Sequence, residues 1–157
     1  MSELKLDPNK EYTLMLVKPD GYHRGLVGKI LARVEQKGYA IVALRVAEAT
    51  DDELQDHYEE HQGKHFFESM VDFMQSGKIV AAVIEGTRVV EGVRSLVGTT
   101  NPTEAAPGTI RGDFGRDYDS GQIQNLVHAS DSIASAAREI KICLLYTSDA
   151  ADDSLRV

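Results

Sequence analysis

Apolar residues along the chain form short continuous runs and helically spaced sets in turn, and this pattern predicts the elements of the fold. Continuous runs bounded by turn residues at Tyr12 to Val17, Tyr39 to Val46 and Ile79 to Ile84 predict three buried strands. Apolar residues at helical spacing predict two helices, from Val27 to Val34 and from Val89 to Val97.

The remaining elements come from capping patterns and one further apolar run. Thr50-Asp51-Asp52-Glu53 has the spacing of a capping box and begins a helix that reaches His61, and a second short helix is expected over 66–75. Ile123 to His128 predicts a fourth strand, and Ser130 to Ser132 supplies N-capping oxygens for a last helix. The βαββαβ order predicts an α/β (α+β) ferredoxin-like sandwich, with helices on one face of a four-stranded antiparallel sheet.

A long irregular segment lies between Thr99 and Gln124 and is rich in glycine and proline. A loop of this length inside a compact domain is either functional or disordered. Arg111 and Arg116 within it favour a functional loop.

Length, composition and charge narrow the class of protein. With 157 residues, 42% of them hydrophobic, the chain suits one compact domain. It contains no apolar run near the roughly 20 residues that span a bilayer, and the polar start from Met1 to Lys10 does not resemble a signal peptide, so we expect a cytoplasmic protein. A net charge of -8 disfavours nucleic acid and membrane surfaces as partners, and the single Cys143 excludes an internal disulfide.

One segment near the end of the chain points to a specific chemistry. Asn125-Leu126-Val127-His128-Ala129-Ser130-Asp131-Ser132 resembles N-x-x-H-G-S-D-S, the active-site signature of nucleoside diphosphate kinases. By itself, a histidine at a strand end is more often structural than catalytic. Further matches follow in the family's order, at Val17 to Gly21, His57-Tyr58, Phe66-Phe67 and Pro107 to Phe114. Several independent motifs in the right order over residues 12–142 identify the chain as a member of that family.

The resemblance implies a reaction and its catalytic residues. Members pass the terminal phosphoryl group of a nucleoside triphosphate to a nucleoside diphosphate in a ping-pong reaction, which here would proceed through phospho-His128. Glu139 would hold the imidazole ring, Ser130 would support Glu139 with a hydrogen bond, and Lys18 would join His128 and Glu139 as a catalytic residue. A neutral imidazole with one nitrogen held and the other aimed at phosphorus is a competent nucleophile at neutral pH.

The resemblance also implies how the nucleotide is bound. The chain lacks the G-x-x-x-x-G-K-[ST] loop that cradles phosphates in other kinases, so cationic side chains have to bind them. The family positions for nucleotide binding are Lys18, Tyr58, Phe66, Arg94, Thr100, Arg111 and Asn125. In this pattern the cations and Thr100 bind phosphates, Phe66 stacks on the base and Asn125 contacts a sugar hydroxyl. Mg²⁺ would accompany the phosphates with few protein ligands, and members are usually homo-oligomers, tetramers or hexamers.

The sequence departs from the family pattern at three places. Ala129 replaces the usual Gly, His65 replaces a Pro, and the segment from Asp117 to Gln122 is about four residues longer than in compact members. We expect Ala129 to be tolerated, His65 to loosen its turn slightly, and the longer segment to affect subunit contacts rather than chemistry.

The end of the chain departs outright. Residues 143–153 read C-L-L-Y-T-S-D-A-A-D-D, which resembles one reading frame of a transposon-end sequencing adapter. We therefore expect the domain to comprise residues 1–142 and residues 143–157 to be non-native.

Three other classes of protein fit the sequence less well. His57 and His61 lie four residues apart on a predicted helix, but Tyr58 occupies the place where a zinc protease has its glutamate. An inactive nucleotide-binding relative would be expected to have lost a residue of the catalytic set. A ferredoxin-like RNA-binding or ligand-sensing module is disfavoured by the acidic charge and by the absence of an RNA-reading aromatic motif.

Overall fold

The computed structural model describes residues 5–48, 75, 77–121 and 123–143. Its elements, labelled in chain order, are β1 Tyr12–Val17, α1 Pro19–His23, α2 Val27–Gln36, β2 Ala40–Glu48, β3 Lys78–Glu85, α3 Val89–Val97, α4 Ile110–Phe114, β4 Val127–Ala129 and α5 over 133–143. The helices expected between Thr50 and His61 and over 66–75 lie outside the described residues, apart from Gln75.

The four strands form one antiparallel sheet in the order β2-β3-β1-β4. The two central strands, β1 and β3, are buried almost throughout, as their continuous apolar runs predicted. The order and the antiparallel pairing confirm the predicted ferredoxin-like sheet.

Both faces of the sheet are covered, and this corrects the expectation that helices lie on one face. Met15 and Val17 of β1 pack into one core cluster with residues of α2 and α3. The alternate residues Leu14 and Leu16 pack on the opposite face with Ile140 of α5. Successive strand residues point to opposite faces, so an unbroken apolar run requires cover on both.

The fourth strand is shorter than predicted. β4 begins only at Val127 because Leu126 adopts a left-handed backbone with a φ of 74°. A residue in that region cannot continue an extended strand, so the apolar run from Ile123 is interrupted just before the histidine.

Two short helices were not predicted. Pro19 begins α1 at a position where its fixed φ suits a first helical turn. Thr109 caps α4, its hydroxyl oxygen accepting a hydrogen bond from the amide of Gly112 at 2.9 Å.

The long loop is tied to the body of the domain through Arg33 of α2. The Arg33 guanidinium pairs with Asp113 at 2.7 Å and donates to the carbonyl of Gly108 at 3.0 Å. The other carboxylate oxygen of Asp113 accepts the amide of Gly108 at 2.9 Å. In the same loop, the guanidinium carbon of Arg116 lies 4.2 Å from the centroid of the Tyr118 ring. Within the described ranges, none of the helices is long and apolar enough to cross a bilayer.

Candidate active site

The topology brings His128 and Glu139 together. In β4, His128 lies opposite Leu16 of β1 and therefore points to the sheet face that α5 covers. Glu139 projects from α5, and its Oε1 lies 2.6 Å from His128 Nε2. The glutamate side chain is 3% exposed and the histidine 21%, so the ring is held from the interior side while still accessible to a substrate.

Ser130 fixes the carboxylate and is itself fixed by the sheet. Its hydroxyl donates to Glu139 Oε1 at 3.1 Å and accepts the amide of Leu14 at 3.2 Å. The Ser130 amide also donates to the Leu14 carbonyl at 3.1 Å. Ser132 then caps α5 by accepting the Ser135 amide at 3.0 Å, so the capping predicted for this segment is confirmed.

The hydrogen bond to Glu139 defines the chemistry available to the ring. A carboxylate is only an acceptor, so the neutral imidazole carries its proton on Nε2 and its lone pair on Nδ1. Burial lowers the pKa of His128, and the charges of Lys18 and Arg111 lower it further. The ring is therefore neutral at pH 7, with Nδ1 as its nucleophilic atom.

Lys18 and Asn125 lie side by side at the edge of this site. The ammonium of Lys18 donates to Asn125 Oδ1 at 2.9 Å, and Asn125 Nδ2 donates to the Thr100 carbonyl at 2.8 Å. Burial, together with the smaller effect of the Arg111 charge, lowers the pKa of Lys18 to about 8, and Asp20 acts against both. The described contact of Thr100 thus involves its backbone, whereas the sequence pattern assigns a role to its hydroxyl.

Arg111 is anchored by main-chain carbonyls. Its Nε, Nη1 and Nη2 atoms donate to the carbonyls of Asn125 at 3.2 Å, Gly98 at 2.9 Å and Val127 at 2.6 Å. Arg94 of α3 is exposed and donates to the carbonyl of Ala129 at 3.2 Å. Both guanidinium groups are therefore positioned by the strand that carries His128, and both act on His128 electrostatically.

The structure thus gathers most of the predicted residues in one cluster around His128. The members that it describes are Lys18, Arg94, Thr100, Arg111, Asn125, His128, Ser130 and Glu139. Tyr58 and Phe66 lie outside the described residues. Sequence reasoning gave no role to Asp20, whose Oδ2 accepts the amide of Leu126 at 3.1 Å, although Asp20 lies inside the matched segment Val17 to Gly21.

Comparison with known proteins decides the family. The family model described as nucleoside diphosphate kinase matches residues 11–148. The chain belongs to the nucleoside diphosphate kinase family.

Curated nucleoside diphosphate kinases are similar to this chain over most of their length. The enzyme of Streptomyces avermitilis is 54% identical over 131 residues, covering 83% of this chain and 93% of that protein. The enzyme of Saccharomyces cerevisiae is 53% identical over 132 residues, covering 84% of each chain.

Solved structures of the family share the fold. The Halobacterium salinarum nucleoside diphosphate kinase, in complex with CDP, is 41% identical with a TM-score of 0.80 and covers 85% of this chain and 87% of its own. The Borrelia burgdorferi enzyme, a transition-state mimic with vanadate and ADP, is 35% identical with a TM-score of 0.80 and covers 85% and 86%. The ferredoxin-like architecture of this nucleoside diphosphate kinase family member is therefore that of its solved relatives.

The alanine beside the nucleophile is compatible with the backbone. Ala129 belongs to β4, is paired with Met15, and does not have a positive φ. Glycine's conformational freedom is thus not needed at this position, and the extra methyl group causes no backbone strain.

Proposed function

We propose that the chain is an active nucleoside diphosphate kinase that transfers the terminal phosphoryl group of a nucleoside triphosphate to a nucleoside diphosphate through phospho-His128. The observation that carries the proposal is the 2.6 Å contact between His128 Nε2 and Glu139 Oε1, which puts the ring proton on Nε2 and makes Nδ1 the atom with the nucleophilic lone pair. Lys18, Arg94 and Arg111 act on the same ring and suit a polyphosphate substrate.

The transfer proceeds in two balanced half-reactions. Nδ1 of His128 forms a bond to the γ-phosphorus as the bond to the bridging oxygen breaks, and the nucleoside diphosphate leaves with that electron pair. The imidazole gains positive charge during the step, which the Glu139 carboxylate stabilises through Nε2–H. A terminal oxygen of a second diphosphate then attacks the phosphorus, and the electron pair of the P–N bond returns to Nδ1.

The cations bind phosphate oxygens and offset their charge during transfer. Arg111 is held by three carbonyls and Arg94 by one, so their guanidinium groups are oriented before substrate arrives. Within the proposal Thr100 donates its hydroxyl to a phosphate and Asn125, beside Lys18, contacts a sugar hydroxyl. Phe66 stacks on the base and Tyr58 lies near the phosphates.

Magnesium fits this site as a companion of the nucleotide. The part of the chain that the structure describes contains no group of three His, Cys, Asp or Glu side chains that could hold a metal ion, whereas its cations suit phosphate oxygens. Mg²⁺ would enter with the nucleotide phosphates and would neutralise part of their charge, while Lys18, Arg94 and Arg111 supply the protein's own positive charge.

We also propose the assembly, location and extent of the functional unit. By analogy with the family, the protein is a cytoplasmic homo-oligomer, a tetramer or a hexamer, whose size sedimentation can measure. The sequence places the domain at residues 1–142 and a non-native tail at 143–157. Cys143 nevertheless belongs to α5 and packs against the second core cluster, and the family model extends to residue 148, so we place the end of the domain beyond Cys143 rather than before it. Re-sequencing the 3′ end of the coding region tests whether the rest is adapter.

The proposed function is tested by following the phosphoryl group. Incubation of the protein with γ-labelled ATP should label it covalently, and the label should be labile to acid and stable to alkali, as a phosphohistidine is. Addition of GDP should then move the label to GTP. A protein that binds ATP without becoming labelled would be an inactive relative.

The ionisation of Lys18 predicts how ADP affinity depends on pH. Because its pKa is about 8, Lys18 is charged at pH 7 and loses that charge as the pH rises. We expect ADP affinity to weaken about tenfold between pH 7 and pH 9, as one lost proton requires. Calorimetric titration measures this. Lys18→Arg, which stays charged over this range, should remove the decline; the same decline in that variant would assign it to another group.

A further inference from the structure

Leu126 holds a backbone conformation that a leucine rarely adopts. Its φ is 74°, its side chain is fully buried, and it lies between Asn125 and the strand that carries His128. A left-handed leucine persists only where its surroundings enforce it, and such positions cluster at functional sites. The conformation at Leu126 therefore needs an identifiable cause.

Two sets of hydrogen bonds hold this conformation: a local one, in which the Val127 amide donates to the Asn125 carbonyl at 2.8 Å, and a distant one from the turn between Lys18 and Asp20. The Leu126 amide donates to Asp20 Oδ2 at 3.1 Å, and the Leu126 carbonyl accepts the Lys18 amide at 2.8 Å. Both polar backbone groups of Leu126 are thus held by residues two positions apart. As a result the side chains on either side of this connection, Lys18 and Asn125, meet at 2.9 Å.

Asp20 is an unusual choice for this backbone contact. Its second oxygen, Oδ1, is buried and has no hydrogen-bond partner, and burial raises the pKa of the carboxyl group. An asparagine would accept the Leu126 amide without bringing a charge into the interior. A buried charge that the local hydrogen bond does not require is expected at a functional site.

The charge of Asp20 has a use at the site. Three charged or titratable groups face Lys18 among the described residues: Asp20 from α1, Arg111 from α4 and His128 from β4. Of these, Asp20 raises the pKa of Lys18, whereas Arg111 lowers it. Asp20 therefore helps to keep the ammonium charged beside Asn125.

We propose that Asp20 is a positioning residue for recognition of the nucleotide sugar. It fixes the left-handed Leu126 and thereby sets Asn125 against Lys18, so that the two side chains together present donors and an acceptor to a sugar hydroxyl. The proposal rests on the proposed function, because that function assigns the sugar contact to Asn125.

The test compares the affinities of ADP and 2′,3′-dideoxy-ADP, which lacks the sugar hydroxyls. The wild-type protein should prefer ADP. Asp20→Ala should reduce this preference about fivefold, the value of a typical hydrogen bond, and change the affinity for dideoxy-ADP less than twofold. Asp20→Asn retains an acceptor for the Leu126 amide and should restore most of the preference at pH 7.

Glu11→Ala supplies a matched control. The Glu11 carboxylate also accepts a hydrogen bond from one backbone amide, that of Val90 at 3.0 Å. Val90 belongs to α3, so this contact does not involve Lys18 or Asn125. Its removal should leave the preference for ADP unchanged. Equal weakening of both nucleotides by Asp20→Ala would reduce Asp20 to a general structural role and overturn the inference.

Asp20→Asn provides a second test, which can be carried out even if Asp20→Ala does not fold. Without the carboxylate charge, the pH at which ADP affinity declines should fall at least half a unit below that of the wild type. An unchanged midpoint would overturn the role of the charge. A wild type that binds both nucleotides equally would refute the proposed sugar contact, whereas a preference that Asp20→Ala leaves intact would refute only the role of Asp20.

Discussion

Replacing His128 with alanine is expected to abolish covalent labelling by γ-labelled ATP. The variant lacks the Nδ1 lone pair, and the structure places no other histidine beside Glu139 and the three cations within the described residues. Loss of a covalent nucleophile typically lowers turnover by about a millionfold, which here means a signal at background. Autoradiography after alkaline gel electrophoresis measures the label, and circular dichroism checks that the variant is folded.

His23→Ala is the matched control for this prediction. His23 is an exposed residue of α1 whose ring packs edge-on against Tyr22 at 5.9 Å. This variant should be labelled like the wild type. Equal labelling of His128→Ala and wild type would mean that another residue carries the phosphoryl group.

Replacing Glu139 with glutamine is expected to lower turnover by about ten- to a thousandfold with smaller changes in nucleotide affinity. Glutamine keeps the shape and an oxygen acceptor for His128 Nε2 and Ser130 Oγ, which lie 2.6 and 3.1 Å from Glu139 Oε1. It removes the negative charge that stabilises the imidazole as phosphorus is attacked. Single-turnover phosphorylation of His128 and ADP titration separate the two effects.

Two variants distinguish this role from a general effect of charge. Lys141→Gln neutralises an exposed residue of the same helix and should leave both measurements unchanged. Ser130→Ala removes one hydrogen bond to Glu139 and should slow phosphorylation less than Glu139→Gln does. Wild-type turnover in Glu139→Gln, or complete loss of nucleotide binding, would require a different role for Glu139.

The sequence by itself predicted the four-stranded antiparallel sheet and nominated most of the residues that the structure gathers around His128. The runs Tyr12 to Val17 and Ile79 to Ile84 predicted the central strands because a strand buried on both faces has to be apolar throughout. The family resemblance implied Glu139 and Ser130 as partners of His128, and the structure brings these three side chains together. Short motifs retain such information because each chemical role requires a particular side chain.

Tertiary structure alone decided how those residues meet. Local periodicity did not reveal that α5 lies on the sheet face opposite α2 and α3, because an apolar helical stripe does not specify which surface it will cover. Nor did it reveal the left-handed Leu126 or the role of Asp20, since the hydrogen bond between them joins residues 106 positions apart in sequence. Conformational propensities depend on residues that are neighbours in sequence. The conformation of Leu126 also depends on the distant carboxylate of Asp20, and only the folded chain brings these two residues together.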